Sequence, residues 1–242
     1  MAWFRRLREA PVTSLFIAAN LAVYLIMAAW SGHLLSFDGE TLVDAGALLW
    51  DPNFVDTSRC RWLTAAFIHT GLPHIAMNLW VLGQIGILSE AALGRGLVAG
   101  AYVFTGVLGN AVSYMLASSR HKAMISAGAS GAIMGLIGMA ATFAWLTGQR
   151  RAARTLAFNI LLVLGVGLSL SARGVSLIDN GAHIGGLVGG VALGLARVRM
   201  TRPTPRWLDV TLVVASLALA AIAFLAVQLR SGGSARLGAR RL

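Results

Sequence analysis

The chain has 242 residues, of which 57% are hydrophobic and only 12% charged, about half the charged fraction of an ordinary soluble domain. That composition excludes a soluble globular domain and points to a helical membrane protein. A net charge of +11 would suggest a nucleic-acid partner in a soluble protein. Here the arginines stand beside long uncharged runs, which fits membrane topology and contact with anionic lipid, with no nucleic acid implied.

Seven runs lack Asp, Glu, Lys and Arg: 10–37, 72–89, 96–119, 123–149, 155–172, 180–196 and 210–229. A bilayer core of roughly 30 Å needs about 20 apolar residues per helical crossing. In lipid each crossing must satisfy its own backbone hydrogen bonds, so each run predicts a helix. The expected fold is all-α, a polytopic transmembrane bundle.

In chain order, residues 1–11 form a short basic amphipathic start ending at Pro11. The first span covers about 12–32 and is retained, being too long and too poorly followed by a cleavage site for a removed signal peptide. The long first loop, 33–71, carries its own aromatics (Phe37, Trp50, Phe54, Trp62, Phe67), which predicts packing on the membrane surface. It also carries the single cysteine, Cys60, so no disulfide can form within the chain. Arg150, Arg151 and Arg154 are expected in the loop after span four, and Arg197, Arg199, Arg202 and Arg206 after span six. With Arg5, Arg6, Arg8 and Arg95 they mark one side of the membrane as cytoplasmic, which puts the N-terminus inside. Seven spans then put the C-terminus outside. Residues 198–229 make a linker and the seventh span, and 230–242 a basic tail expected to be disordered.

Polar residues inside spans are functional hypotheses by default. With the N-terminus inside, His74 and Asn78 begin span two, Ser130 begins span four and His183 begins span six, all near the outer face. If span four starts near Ile125, Ser130 lies roughly 7–8 Å down the helix. A serine hydroxyl becomes nucleophilic when a base takes its proton, and a neutral histidine does this near pH 7. Developing negative charge on an acyl oxygen needs donors, which His74, Asn78 and the Ser130 amide can supply. His69 reads as structural. Gly128 and Gly131 flank the serine and leave room for close approach. Gly186 lies on the His183 side of span six, where it lets spans four and six pack closely. Each piece has a plainer explanation, since small residues are common in membrane helices and a lone histidine can simply join two spans. The agreement in depth favours a site.

Other uses fit less well. There is no His-Glu-x-x-His and no carboxylate in spans two or four near the cluster, so no metal is expected. Asp179 precedes His183 by four residues and reads as a helix cap. A transporter would want charges at mid-membrane.

These residues resemble the rhomboid family of intramembrane serine proteases over roughly residues 12–197. The likeness rests on Arg61 with Thr64 in the first loop, on His69, His74 and Asn78 in the pattern His-x4-His-x3-Asn, on Gly128-Ala129-Ser130-Gly131, and on Asn180-Gly181-Ala182-His183 followed by glycines. Glu90 and Gly94 also fit. The resemblance implies a Ser130–His183 dyad with His74, Asn78 and the Ser130 amide around the oxyanion, and no cofactor. It implies a six-helix core with one appended C-terminal helix in a bacterial inner membrane. It also implies cleavage of single-pass transmembrane proteins near their outer boundary, with span five and the loop around 171–179 as the gate. The sequence departs from the family pattern at Cys60, where a Trp usually precedes the arginine, and at Met134, where an aromatic is frequent. A client-binding relative without activity is the alternative; it would be expected to lack Ser130 or His183, and both are present.

Overall fold

The computed structural model describes residues 2–52, 59–121, 123–174, 178–200 and 205–238. Phe54 of the first loop, Lys122, Arg202, residues 175–177 of the expected gate loop and the tail arginines Arg240 and Arg241 lie outside them.

The described chain is a helical bundle. A short basic helix α1 (Ala2–Glu9) leads into α2 (Pro11–Ser31), the first crossing. Pro11 sits in the first turn of α2, where its missing N–H is no loss. The free amides there are met from another helix. Glu90, near the end of α5 (Leu72–Leu93), accepts from the Thr13 amide and hydroxyl, each at 2.5 Å, and from the Val12 amide at 3.3 Å. A carboxylate at a helix N-terminus also complements the helix dipole. Gly86 lets the two helices close, since a Cβ there would lie 2.4 Å from the Thr13 hydroxyl oxygen.

The first loop is ordered structure where it is described. It contains α3 (Gly39–Ala45), strand β1 (Leu48–Trp50), α4 (Arg61–Thr64) and a 3-10 turn over Ala65–Phe67. Arg61 ties it together by donating to the carbonyls of Val43 and Ala47, the latter at 3.1 Å. The Thr64 hydroxyl donates to the Gly46 carbonyl at 2.6 Å. Phe37, Trp50 and Phe67 are buried, so these three aromatics turn inward. Cys60 is partly buried and packs on the main core.

Five more helices follow: α6 (Arg95–Ser119), α7 (Ser130–Leu146), α8 (Arg150–Ala172), α9 (Asn180–Arg199) and α10 (Arg206–Gly238). Among the described residues six helices are long and apolar enough to cross a membrane, namely α2, α5, α6, α8, α9 and α10. The chain is therefore a multi-pass membrane protein. The expected fourth crossing, α7, has only 17 residues, about 25 Å of helix. Its expected N-terminal part is instead strand β2 (Met124–Ser126), antiparallel to β1 with Leu48 opposite Ser126. Ser130 is thus the first residue of its helix, not a turn or more inside it. An extended segment reaches into the bundle and the helix starts there.

Two further expectations are corrected. Arg150, Arg151 and Arg154 form the first turns of α8 and are not in a loop. Long arginine stems lie along an apolar helix while their charged ends reach water. Residues 230–238 continue α10, where a disordered tail was expected. Extending a helix already formed orders one residue at a time, without a new nucleus.

The most extensive helix contact is α7 on α9. Gly186 and Gly190 make it possible: a Cβ at either would lie 2.0 or 1.9 Å from the carbonyl oxygen of Gly131 or Gly135. The helices touch backbone to backbone, which small residues allow in membranes. This contact sets the N-terminus of α7 beside that of α9. By contrast α8 is only 11% buried, against 61% for α6, and is the least enclosed crossing.

Candidate active site

At the end of the bundle where α5, α7 and α9 begin, a cavity of about 300 Å³ opens between α5 and α8. His74, Asn78, Gly128, Ser130 and His183 all line it. Residues far apart in sequence on α5, α7 and α9 meet there because the three helices start at one level. The far wall is apolar and includes Ile133, Ile137, Val163 and Val166. Met134, one turn after Ser130, is buried and also lines the cavity.

The loop before Ser130 is fixed by backbone geometry. Gly128 has φ +138°, which L side chains rarely adopt, and its amide donates to the Ala65 carbonyl at 2.9 Å. A Cβ there would lie 2.9 Å from Nε2 of His74. Glycine is therefore required twice at this position. The same virtual atom is 3.7 Å from the Ser130 hydroxyl oxygen, so the His74 ring edge and the serine flank one small space.

His74 is oriented from behind. Its Nδ1 faces the Thr70 hydroxyl at 3.0 Å and the Thr70 amide at 3.5 Å. A ring nitrogen that faces an amide N–H acts as acceptor, which leaves the proton on Nε2 as a donor. Asn78 is buried and its amide donates to the His74 carbonyl at 3.0 Å, one turn back. His69 is fully buried and stands edge-on to His74 with ring centroids 5.2 Å apart. It does not line the cavity. Burial, then the neighbouring His74, hold its pKa down to about 3, so it is neutral at any physiological pH. Arg61, Gly131 and Gly186 also stand off the cavity, in the first loop and in the α7–α9 contact.

His183 is 5% exposed, and its Nδ1 is buried without a hydrogen-bond partner among the described residues. Asp179 is engaged elsewhere. It caps α9 by accepting from the Ala182 amide at 2.9 Å and accepts from the hydroxyls of Ser113 and Ser126, each at 2.5 Å. It thus joins α6, β2 and α9 in the manner of a capping residue. No hydrogen bond joins the Ser130 hydroxyl to the His183 ring in this structure. Such bonds often tighten only with substrate bound. Among the described residues no three of His, Cys, Asp and Glu are grouped to hold a metal ion.

A family model described as the Rhomboid domain matches residues 56–200. The chain is 32% identical over 209 residues to rhomboid-like protease 2 of Toxoplasma gondii, across 84% of this chain and 71% of that protein. The chain belongs to the rhomboid family. It is also 33% identical over 189 residues to the rhomboid protease GluP of Bacillus subtilis, across 76% of this chain and 35% of that protein. With RHOMBOID-like protein 7 of Arabidopsis thaliana it shares 32% over 164 residues, across 68% of this chain and 51% of that one. The chain spans only about a third to a half of the length of these last two relatives. In this rhomboid the cavity also draws on residues that the sequence reading passed over. Asn110, buried within α6, donates to the Trp62 carbonyl at 2.8 Å and lines the cavity with Ser126. The available signal was a polar residue inside an apolar run.

Proposed function

We propose that this rhomboid is an active intramembrane serine endopeptidase with Ser130 as nucleophile and His183 as base. The observation that carries the reading is that the two residues line one buried cavity, with the donors His74 and Asn78 beside them. The Ser130 oxygen attacks a peptide carbonyl while His183 takes the hydroxyl proton. The oxyanion accepts from the Ser130 amide at the start of α7, from His74 Nε2–H and from the Asn78 side chain. His183 then returns the proton to the leaving amine, and a water repeats the sequence to release the acyl group. Asp179 is committed to Ser113, Ser126 and the α9 cap, and His183 Nδ1 has no hydrogen-bond partner among the described residues, so a dyad accounts for the groups present. No cofactor enters these steps.

The substrates are single-pass transmembrane proteins cut near the outer boundary of a bacterial inner membrane, with the N-terminus of this chain in the cytoplasm. The cavity opens at the bundle end opposite the arginines of α1 and α8, which supports that orientation. The low burial of α8 suits it to act as the gate. The test is cleavage of a single-pass substrate in proteoliposomes. Wild type cuts, and Ser130→Ala and His183→Ala do not. Unchanged cutting by Ser130→Ala overturns the mechanism, and an inactive, folded wild type favours a client-binding relative.

A further inference from the structure

A second opening lies between α5 and α8, at the opposite end of the bundle from Ser130. It is an open crevice of about 830 Å³. Its body is apolar, with Ile85, Leu88 and Leu156, and Arg6, Gln84 and Asn159 are among its polar residues. A smaller groove shares Leu88 and Leu156 with it and is lined by Arg150 and Arg151 at the start of α8. Arg6, Arg150 and Arg151 are exposed. Glu9 also lines the crevice and opposes an anion, but three arginines outnumber it. Arg150 lies over the Trp145 ring, 4.0 Å from its centroid, which holds the guanidinium near the groove.

An apolar trough that ends in arginines matches one ligand chemistry at the edge of a bilayer, an acyl chain joined to an anionic headgroup. We propose that this crevice binds an anionic phospholipid, with its phosphate at Arg150, Arg151 and Arg6 and one acyl chain between α5 and α8. A zwitterionic lipid brings its own cation to the same arginines and binds less well. The chain's far end reaches Val81 and Ile137, which line both this crevice and the cavity at Ser130. Lipid there fills the space between α5 and the loosely held α8. The site does not depend on proteolysis, so it is tested in Ser130→Ala protein.

The experiment is native mass spectrometry of the detergent-solubilised full chain, titrated with phosphatidylglycerol or phosphatidylcholine. One phosphatidylglycerol adduct, preferred over phosphatidylcholine, is expected. Arg150→Gln with Arg151→Gln weakens it about thirtyfold, and Ala91→Trp, which fills the crevice, removes it. Arg199→Gln with Arg206→Gln makes the same charge change outside the crevice and leaves the adduct intact. Equal loss in the two arginine pairs means unspecific charge attraction and overturns the proposal. So does Ala91→Trp protein that keeps its lipid; if the same change in active protein also slows substrate cleavage, the crevice holds substrate instead.

Discussion

The residues of the proposed site divide into those assigned the chemistry and those that hold them. Ser130 and His183 were legible in the sequence because a hydroxyl and an imidazole inside apolar runs are conspicuous. The pairing of Asp179 with Ser113 and Ser126 was not, because which polar groups meet depends on helix packing. Asn78 is expected to be one of several oxyanion donors, since the Ser130 amide and His74 remain when it is removed. Asn78→Ala should lower kcat by about 10–100-fold, at or below the usual effect of losing one such donor, with KM little changed. A loss as complete as that of Ser130→Ala, read by steady-state kinetics, would show that the other donors do not act. His69 carries a pH prediction. Its folded pKa of about 3 lies below the ordinary value of 6.5, so the unfolded chain binds more protons between those limits. Its neutral burial therefore contributes in full above about pH 6.5, and that stability is lost as pH falls toward 3. Thermal unfolding from pH 7 to 4 should show a steeper decline for wild type than for His69→Gln. Parallel curves would remove His69 as the cause.

At the scale of elements, the apolar runs foretold the crossings within a few residues, but not where α7 begins. Met124-Ile125-Ser126 is apolar enough to read as membrane helix. It becomes a strand because Leu48–Trp50, far away in sequence, offers a partner. Gly128, with its positive φ, separates that strand from the helix. Hydrophobic periodicity carries no record of such long-range pairing. The packing of α7 on α9 was foreshadowed by glycine spacing, and the structure explains how little room remains. Gly190→Leu should destabilise the protein by about 3 kcal/mol or more, because its side chain meets the Gly135 carbonyl. Gly165→Leu on α8, where nothing lies within 4 Å of the added carbon, should be nearly neutral. Thermal unfolding in detergent distinguishes them, and equal shifts would contradict this account of the α7–α9 contact.

For the whole molecule, the chain reads as a bundle with an arginine-marked end and a cavity end. The proposed orientation rests on charge alone and makes its own prediction. In a Cys60→Ala background, Leu35→Cys at the cavity end should react with a membrane-impermeant maleimide on intact spheroplasts. Gln149→Cys at the other end should react only after permeabilisation. The reverse pattern would invert the topology and place any cleavage on the cytoplasmic side. The α10 helix belongs to this whole, since Asp209 accepts from the Gly96 amide at 3.2 Å and Gln228 donates to the Asp44 carbonyl at 3.3 Å. It is therefore fastened to the bundle near both ends of its crossing. The central claim is that the bundle exists to activate Ser130. Its most direct test is labelling of the purified, folded protein with a fluorophosphonate probe. The account predicts that wild type is labelled and that Ser130→Ala and His183→Ala are not. Equal labelling of wild type and Ser130→Ala, or none in folded wild type, would contradict it.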